Sequence, residues 1–370
     1  MAEMTVTRDE RRFGFIVHPR SMPELRKMAF FHTVPIFPFG SQHFIKSQCL
    51  RRKVVKPIFS FPSIVSSQNK SCAGKVFCIF LMPDQILNLQ ATAVDLIEVA
   101  CEKLRDWGPE MIGLGGLTGV IGSRGKEIAQ RVNTPVTTGN SLTVYSSLAV
   151  FERLQRDFDI SPAARKIVIV GFPGSISLAI ARALAKRGFN LLLVNRRKTP
   201  FLDRLTSELR ESYRAEIEVT EDLHQALSEA RVVFTATSTG RIIDSDHLPA
   251  GSIIIDIAQP RDVIETRKKR NDVLVIDGGV VTLPVRSPNQ RRFANWETND
   301  VPACLAETMI LALERVSYSF SIGRNLNLKK IEEIGRISKT HGFICDTLRS
   351  FGRPIDQDNL AITCKMFKKG

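Results

Sequence analysis

One segment near the middle of the sequence restricts the possible folds more than any other. Residues 166–188 read KIVIVGFPGSISLAIARALAKRG, a run of four apolar residues, a turn with Gly171 and Gly174, and then apolar residues at helical spacing. A glycine-rich turn between a buried strand and a helix lets the pyrophosphate of a dinucleotide approach the helix N-terminus. The order strand, turn, helix therefore predicts the first unit of a dinucleotide-binding fold.

Apolar strands and amphipathic helices keep alternating beyond this unit. Five later segments have the composition of short buried strands: NLLLVNR, EIEVT, RVVFTAT, SIIIDIA and VLVIDGG. The segments between them, such as FLDRLTSELRESY, have apolar residues at helical spacing. The alternation predicts an α/β fold with a Rossmann-like, doubly wound parallel sheet that has helices on both faces.

Residues at the predicted strand ends indicate which nucleotide this fold would bind. In an NAD site an acidic residue after the second strand usually contacts the ribose, whereas arginine suits the 2′-phosphate of NADP. Here that strand ends in Asn195, Arg196 and Arg197, which favours NADPH, although two solvated surface charges would look the same. The predicted cofactor-binding residues are Gly171, Gly174, Ser175, Ile176, Asn195, Arg196, Arg197, Thr237 and Ser238.

The composition divides the chain into further regions. Ser161 and Pro162 mark the predicted start of the Rossmann domain, which we place at residues 161–298. Residues 1–160 are predicted to form a smaller α/β substrate domain, because strand and helix patterns precede that boundary. The helices within residues 299–345 are predicted to return to the first domain and complete it. Residues 346–370 read as a polar tail that is basic at its end.

The net charge of +14 is unusually high, and much of it lies near the N-terminus. The first 70 residues contain 12 Lys and Arg against 4 Asp and Glu. A basic surface attracts nucleic acid, anionic lipid or an acidic protein. The sequence has no zinc-finger, RNA-recognition or helix-turn-helix signature, so we expect no nucleic-acid partner. The aromatic and basic residues of 29–71 fit either a peripheral membrane contact or an irregular segment packed into its domain.

The cysteines indicate the compartment. There are seven, at scattered spacings and without a C-x-x-C pair, which argues against a disulfide framework and against a structural zinc site. We expect no metal. The N-terminus lacks the apolar region of a signal peptide, and the longest apolar runs are far below the roughly 20 residues that span a bilayer. The sequence therefore predicts a cytoplasmic protein.

One cysteine stands at a position suited to chemistry. In NDVPACLAETMILALE, residues 299–314, Cys304 falls in the first turn of a predicted helix that Asp300 caps. The positive end of the helix macrodipole favours a thiolate there. The helix also has an apolar face, so Cys304 is either a nucleophile or a small apolar residue at the start of a core helix.

Several motifs taken together resemble a known enzyme family. They are FGFIVHP (13–19), GLGG (113–116), TTGNSLTVY (137–145), GFPGSIS (171–177), VNRR (194–197), ACLAE (303–307), GRN (323–325) and KTHGF (339–343). In this order they resemble the long-chain fatty acyl-[acyl-carrier-protein] reductases that form fatty aldehydes for alkane biosynthesis. The segments TATSTG and DIAQPRDV also resemble the cofactor domain of glutamyl-tRNA and shikimate-type reductases.

The resemblance implies a thioester mechanism. The cysteine of ACLAE, Cys304, would take the acyl group from acyl carrier protein, or from coenzyme A, and NADPH would reduce the enzyme thioester to a fatty aldehyde. Acyl carrier protein is then the expected partner, together with an aldehyde-consuming enzyme. His341 is the candidate general acid, with a packing histidine as the alternative. The candidate substrate-binding residues are Gly115, Gly116, Thr138 and Asn140, which a tight turn and helix capping would also explain.

Two other classes of function remain open from the sequence. The first is a different NADPH oxidoreductase, such as one of the glutamyl-tRNA reductase type. The second is a non-catalytic dinucleotide-binding protein, which would have no need of a thiol at Cys304.

Overall fold

The computed structural model describes residues 10–31, 41–162, 166–197, 199–213, 215–265, 270–284 and 299–369. The chain forms two compact units. Unit 1 comprises Met1–Leu142, Thr282–Arg324 and Arg336–Ile344, and unit 2 comprises Thr143–Val281, Asn325–Gly335 and Cys345–Gly370.

Unit 1 is built around a mixed sheet. In chain order its first elements are β1 (Arg11–Val17), α1 (Met22–Phe31), α2 (Gln42–Arg51), β2 (Val55–Val65), β3 (Ser71–Ile79), α3 (Pro83–Asn88), α4 (Gln90–Arg105), β4 (Met111–Leu114), a 3₁₀ turn (Gly116–Gly119), α5 (Ile121–Arg124), α6 (Lys126–Arg131) and β5 (Val136–Thr137). Within the described ranges the strand order is β2-β3-β1-β4-β5. β2 runs antiparallel to β3, whereas β1 is parallel to both of its neighbours and β4 is parallel to β5.

Unit 2 contains the predicted Rossmann sheet. The chain continues through α7 (Asn140–Phe158), β6 (Ile167–Val170), α8 (Ser175–Lys186), β7 (Leu191–Val194), α9 (Pro200–Ser212), β8 (Ile217–Thr220), α10 (Leu223–Ser228), β9 (Val232–Thr235), β10 (Ile243–Asp244), a 3₁₀ turn (Ser245–His247), β11 (Ile253–Asp256), β12 (Val263–Ile264), β13 (Leu274–Asp277) and β14 (Val280–Thr282). Six strands pair in the order β8-β7-β6-β9-β11-β13, and every pair in this sheet is parallel. Numbered by their sequence within the sheet, they follow the 3-2-1-4-5-6 order of dinucleotide-binding folds.

Both faces of this sheet are covered, as the continuous apolar strands predicted. Successive side chains of a strand point to opposite faces. Ile167 and Ile169 of β6 lie in one apolar cluster with Leu178 of α8, while Val168 and Val170 lie in another with residues of α10. The α/β class and the parallel sheet predicted from the sequence are therefore confirmed.

The last elements are β15 (Asp300–Pro302), α11 (Ala303–Leu313), α12 (Leu328–Thr340), β16 (Arg349–Ser350), β17 (Arg353–Pro354) and α13 (Gln357–Lys369). α11 is almost completely buried and packs against β1, β3 and β4 of unit 1. The helix is shorter than predicted, and Asp300 does not cap it. Asp300 lies in β15 instead, where its carboxylate accepts a hydrogen bond from the Thr282 hydroxyl.

Two boundaries differ from those placed on the sequence. Most of α7 belongs to unit 2 rather than to residues 1–160, because its residues Phe151 and Leu154 are buried in the core of unit 2. The segment expected to be a tail also joins that core. It forms α13, and its Phe367 ring meets Phe158 edge to face, 5.5 Å between centroids.

Candidate active site

The predicted nucleotide turn has the geometry that a phosphate needs. Gly171 follows β6 with φ of +94°, and a Cβ there would lie 2.7 Å from the carbonyl oxygen of Ala236. Gly174 precedes α8, and no side chain caps that helix. The N–H groups of a first helical turn have no intrahelical partner, so the turn suits a pyrophosphate. Ser177 stands where a third glycine is common, and its hydroxyl donates to the Gly171 carbonyl, 2.8 Å.

The three residues after β7 form an exposed polar cluster. The Asn195 side-chain amide donates to the carbonyl of Arg197, 2.9 Å, and the Arg196 guanidinium donates to the hydroxyl of Thr239, 2.7 Å. Arg196 is thus held between the ends of β7 and β9. Among the described residues, the cluster presents two cations and no carboxylate.

The loop after β9 is shaped by an aspartate that the sequence reasoning missed. Asp262 accepts hydrogen bonds from the Thr235 hydroxyl, 2.5 Å, from the Thr237 hydroxyl, 2.5 Å, and from the Thr237 backbone N–H, 3.0 Å. The donors of Thr237 are therefore engaged within the protein. Thr237 and its neighbour Ser238 lie where the cofactor-binding prediction put them, at a strand end. The segment DIAQPRDV contains Asp262 as the second of its two acidic residues, and this was the sequence signal for it.

A second aspartate of unit 2 is buried at the end of β11. The Asp256 carboxylate accepts hydrogen bonds from the N–H groups of Ala258, 3.0 Å, and Val263, 2.9 Å. Burial raises the pKa of Asp256 to about 7, and the negative charge of Asp262 acts in the same direction. This carboxyl group therefore titrates near neutral pH.

In unit 1, Cys304 is the second residue of α11 and is partly exposed. The backbone of Gly139 lies directly against it. A Cβ on Gly139 would be 2.1 Å from the Cα of Cys304, and Gly139 has φ of +72°. The loop before α7 can approach the thiol so closely only because residue 139 has no side chain.

The surroundings of Cys304 shift the pKa of its thiol in two opposing directions. Burial raises the pKa of Cys304 to about 12, and the carboxylate of Glu307 also raises it. Hydrogen bonds from the backbone N–H groups of Leu305, Cys304 and Gly116 oppose this shift. The helix position alone predicted a lowered pKa, and that prediction is wrong because desolvation outweighs the helix terminus.

The loop that carries Gly115 and Gly116 is bound to the end of β1. The Gly115 N–H donates to the carbonyl of Ile16, 2.8 Å, and the Thr118 hydroxyl donates to the carbonyl of Gly115, 2.9 Å. His18, which follows β1, is buried and accepts from the Leu117 N–H at Nε2, 3.1 Å. Sequence reasoning missed His18, although the motif FGFIVHP contains it.

The second loop beside the thiol is held by Glu307, one turn after Cys304. This fully buried carboxylate accepts from the Thr137 hydroxyl, 2.5 Å, and from the Leu142 N–H, 2.7 Å. Burial raises the pKa of Glu307, whereas these bonds and those from Ser321 and Ser141 lower it. Glu307 thereby joins the start of α7 to α11.

The predicted substrate-binding residues of this loop have structural partners. The Thr138 hydroxyl donates to the carbonyl of Ser321, 2.5 Å, and Asn140 is the first residue of α7. Gly115 and Gly116 lie in the neighbouring loop, and the Gly116 N–H lowers the pKa of the thiol. Of the four predicted residues, Gly116 therefore has the most direct relation to Cys304.

His341 contacts Glu314, beyond the C-terminal end of α11, whereas Cys304 is near the start of that helix. Its Nε2 lies 2.8 Å from Oε1 of Glu314, to which the Lys70 ammonium also donates, 2.6 Å. Glu314 follows the last residue of α11, and at a rise of 1.5 Å per residue it is about 15 Å from Cys304 along the helix axis. The general-acid role predicted for His341 has no support in this geometry.

Within the described ranges, no helix has both the length and the apolar character needed to cross a membrane. No group of three or more His, Cys, Asp and Glu side chains in those ranges could hold a metal ion.

The strand order of unit 2 and its glycine turn define a Rossmann-like, NAD(P)-dependent protein of the oxidoreductase type. A sequence profile of the shikimate/quinate 5-dehydrogenase family matches residues 152–277, which hold this sheet.

Two curated relatives match most of the chain. Aminotransferase PigE of Serratia sp. is 35% identical over 351 residues, which are 94% of this chain and 41% of that protein. The long-chain acyl-[acyl-carrier-protein] reductase of Synechococcus elongatus is 27% identical over 297 residues, which are 76% of this chain and 85% of that protein. The chain thus spans less than half the length of its Serratia relative.

These comparisons correct the family expected from the motifs. The Serratia protein has both the higher identity and the higher coverage of this chain, and it is named an aminotransferase. The matching profile is that of a dehydrogenase family. Membership of the long-chain acyl-[acyl-carrier-protein] reductase family, predicted from motifs such as ACLAE, is therefore wrong.

Solved structures align with the chain at low identity. Shikimate 5-dehydrogenase from Listeria monocytogenes covers 90% of this chain and 99% of its own, at 11% identity and a TM-score of 0.36. The NAD-dependent malic enzyme of Thermotoga maritima covers 92% of this chain and 85% of its own, at 13% identity and a TM-score of 0.34. At such TM-scores the fold assignment rests on the strand order of unit 2 itself.

Proposed function

We propose that this chain is an NADPH-dependent reductase that converts an acyl thioester to an aldehyde through an acyl group held on Cys304. One observation carries the proposal. Cys304 is a partly exposed residue at the start of α11, the backbone of Gly139 lies against it, and the backbone N–H groups of Leu305, Cys304 and Gly116 lower the pKa of its thiol. Converging N–H donors stabilise a negative sulfur, and they also stabilise the oxygen of a tetrahedral acyl intermediate.

The first step is an exchange between two thiols. The sulfur of Cys304 forms a bond to the acyl carbon, the bond from that carbon to the donor sulfur breaks, and the proton of Cys304 leaves with the donor thiol. The exchange is nearly isoenergetic, because one thioester replaces another. A thiol of raised pKa is rarely ionised, but its thiolate is a strong nucleophile.

The residues of unit 2 fit a bound NADPH. The turn from Gly171 to Gly174 and the uncapped start of α8 would hold the pyrophosphate, and Arg196 would hold the 2′-phosphate. When bound, NADPH would supply the hydride for reduction of the acyl group. Cys304 would then leave as a thiolate when the carbon–sulfur bond breaks, and the product would be an aldehyde.

The names of the two relatives support this substrate class and suggest the fate of the product. The Synechococcus protein is named as a reductase of an acyl thioester. The Serratia protein is named as an aminotransferase, and an aldehyde is a carbonyl acceptor for an amino group. We therefore propose acyl carrier protein or coenzyme A as the acyl donor, and a partner that consumes the aldehyde, with transamination as the matching reaction.

A second candidate function follows from the dehydrogenase profile over residues 152–277. A dehydrogenase of this type would move a hydride between a hydroxyl-bearing substrate and the nicotinamide. Such a transfer requires no covalent bond to the protein, so the reaction would not need the Cys304 thiol. The two candidates therefore differ in their dependence on this thiol.

The test uses the purified chain with acyl-coenzyme A and acyl carrier protein thioesters in separate arms. Intact-mass measurement without NADPH should detect one acyl adduct on the wild type, and NADPH oxidation should equal aldehyde formation. Cys304→Ala should lose the adduct and at least about 10³-fold of the turnover. Cys364→Ala, a second partly exposed thiol, is the matched control and should behave as wild type.

Two results would overturn this function. The first is the absence of any acyl adduct on the wild type in both arms. The second is NADP⁺-dependent oxidation of shikimate or quinate at equal rates by the wild type and Cys304→Ala, which would favour the dehydrogenase.

A further inference from the structure

We propose that His18 is a positioning residue, whose neutral imidazole holds the loop that aims the Gly116 N–H at the Cys304 thiol. The inference rests on the proposed acylation of Cys304 and names a residue that acts through the loop. His18 follows β1, and its side chain is buried.

The two partners of the ring determine where its proton lies. The carbonyl oxygen of Pro19, 2.9 Å from Nδ1, can only accept a hydrogen bond, so Nδ1 carries the hydrogen. The Leu117 N–H, 3.1 Å from Nε2, can only donate, so Nε2 must present its lone pair. Both bonds form together only in the neutral ring that is protonated on Nδ1.

The ring lies next to the peptide that faces the thiol. A Cβ on Gly116 would lie 2.9 Å from Nε2 of His18, and Gly116 has φ of +60°. The N–H of Leu117 bonds to the ring, and the N–H of Gly116, one residue earlier, faces the Cys304 thiol and lowers its pKa. The backbone angles of Gly116 alone relate these two N–H groups, so fixing one orients the other.

Two further hydrogen bonds hold the loop to β1. Among the described contacts, the remaining ties to β1 are the Gly115 N–H and the Thr118 hydroxyl, which both reach the carbonyl of Ile16, at 2.8 and 3.3 Å. These bonds fix the two ends of the loop. The bond from Leu117 to His18 fixes its middle, where Gly116 meets Cys304.

The variants separate the loss of the acceptor from the loss of the ring. His18→Phe keeps an aromatic ring but leaves the Leu117 N–H without an acceptor. His18→Gln supplies both an acceptor and a donor. We expect His18→Phe to lower the rate of Cys304 acylation by roughly ten- to hundredfold, and His18→Gln to restore most of it. This loss is smaller than the roughly 10²–10³-fold cost of removing an oxyanion donor, because the Gly116 N–H is misoriented and not removed.

Two further readouts distinguish positioning from general damage to the fold. Alkylation of Cys304 by iodoacetamide needs the thiolate that the Gly116 N–H favours, so His18→Phe should slow it, but less than acylation, in which the N–H also stabilises the oxygen of the tetrahedral intermediate. The affinity for NADPH should not change. Equal losses in acylation and alkylation, or unchanged acylation in His18→Phe, would overturn the proposal.

A spectroscopic test is independent of activity. With ¹⁵N-labelled histidine, the signals of His18, identified by their absence in His18→Gln, should be those of the neutral Nδ1–H form at neutral pH. The Nε2–H form or a charged ring would overturn the inference even if Cys304 is acylated. The neutral Nδ1–H form in a wild type that forms no acyl adduct would instead contradict the proposed function and, with it, the role of His18 in acylation.

Discussion

The thiol site of unit 1 and the nucleotide site of unit 2 are built in different ways. The nucleotide site consists mainly of backbone groups and exposed side chains at strand ends, from Gly171 to Thr239. The thiol site gathers His18, Gly116, Gly139 and Cys304 from separate parts of the chain. Buried hydrogen bonds to Glu307 and to His18 hold these parts in place.

This difference indicates which substitutions should impair each site. A site made of backbone at the end of a regular sheet is fixed by the sheet, so a surface substitution changes its affinity without disturbing its shape. A site whose loops are joined by buried polar bonds depends on each bond, because an unpaired buried group costs about 1–3 kcal/mol. We therefore expect substitutions in unit 1 to have the larger effects.

The largest effect is expected from Gly139→Ala. The new methyl group would lie 2.1 Å from the Cα of Cys304 at a residue with positive φ, so both overpacking and backbone strain oppose it. We expect a loss of about 2–4 kcal/mol of stability and loss of the acyl adduct. Thermal unfolding and intact-mass measurement would test this.

Gly188→Ala provides the matched control for that variant. Gly188 also has a positive φ, of +82°, but a Cβ there would meet nothing within 4 Å. Strain alone should cost about 1 kcal/mol. If both variants lost the same stability and both kept the adduct, the close contact between Gly139 and Cys304 would have no importance for the thiol site.

An intermediate effect is expected from Arg196→Ser in the nucleotide site. Loss of the guanidinium should weaken NADPH binding by about 10- to 100-fold, or 1.4–2.7 kcal/mol, and leave NADH binding nearly unchanged. Nucleotide titrations followed by fluorescence would measure both affinities. Arg187→Gln, which removes an exposed arginine paired with Glu152, is the charge-matched control. Equal weakening for both nucleotides would mean that Arg196 does not contact the 2′-phosphate.

The smallest effect is expected from the titration of Asp256. Its pKa is raised from 3.8 to about 7 in the folded chain, so folding takes up a proton between about pH 4 and 7. The stability should therefore fall as the pH rises across this range. The pKa of about 7 already includes the lowering by the N–H groups of Ala258 and Val263. The loss is gradual, at most about 1.4 kcal/mol of stability per pH unit for one group.

The variant Asp256→Asn removes this titration. Its thermal midpoint should depend less on pH between 4 and 7 than that of the wild type. If the slope of the thermal midpoint against pH were unchanged in Asp256→Asn, a group other than Asp256 would cause the pH dependence of stability.

The features that could be predicted from the sequence are those determined by residues close together in the chain. The glycine turn at Gly171, the arginines after β7 and the parallel sheet all follow from residues close together in the chain. The position of Cys304 in the first turn of a helix was also predicted correctly, since α11 begins at Ala303.

Contacts between distant residues account for most of what was missed. The bonds of His18 to Leu117, of Glu307 to Thr137 and of Asp262 to Thr237 join residues 99, 170 and 25 positions apart. No periodicity or motif encodes them. The pKa of Cys304 was predicted in the wrong direction for the same reason, because helix position is local and burial is not.

The raised pKa of Cys304 affects the rate at which oxidants should react with its thiol. Peroxides and electrophiles attack thiolates far faster than thiols. With a pKa of about 12, Cys304 is almost entirely protonated at neutral pH. Sulfenic acid should thus form at Cys304 more slowly than at cysteines whose pKa is low.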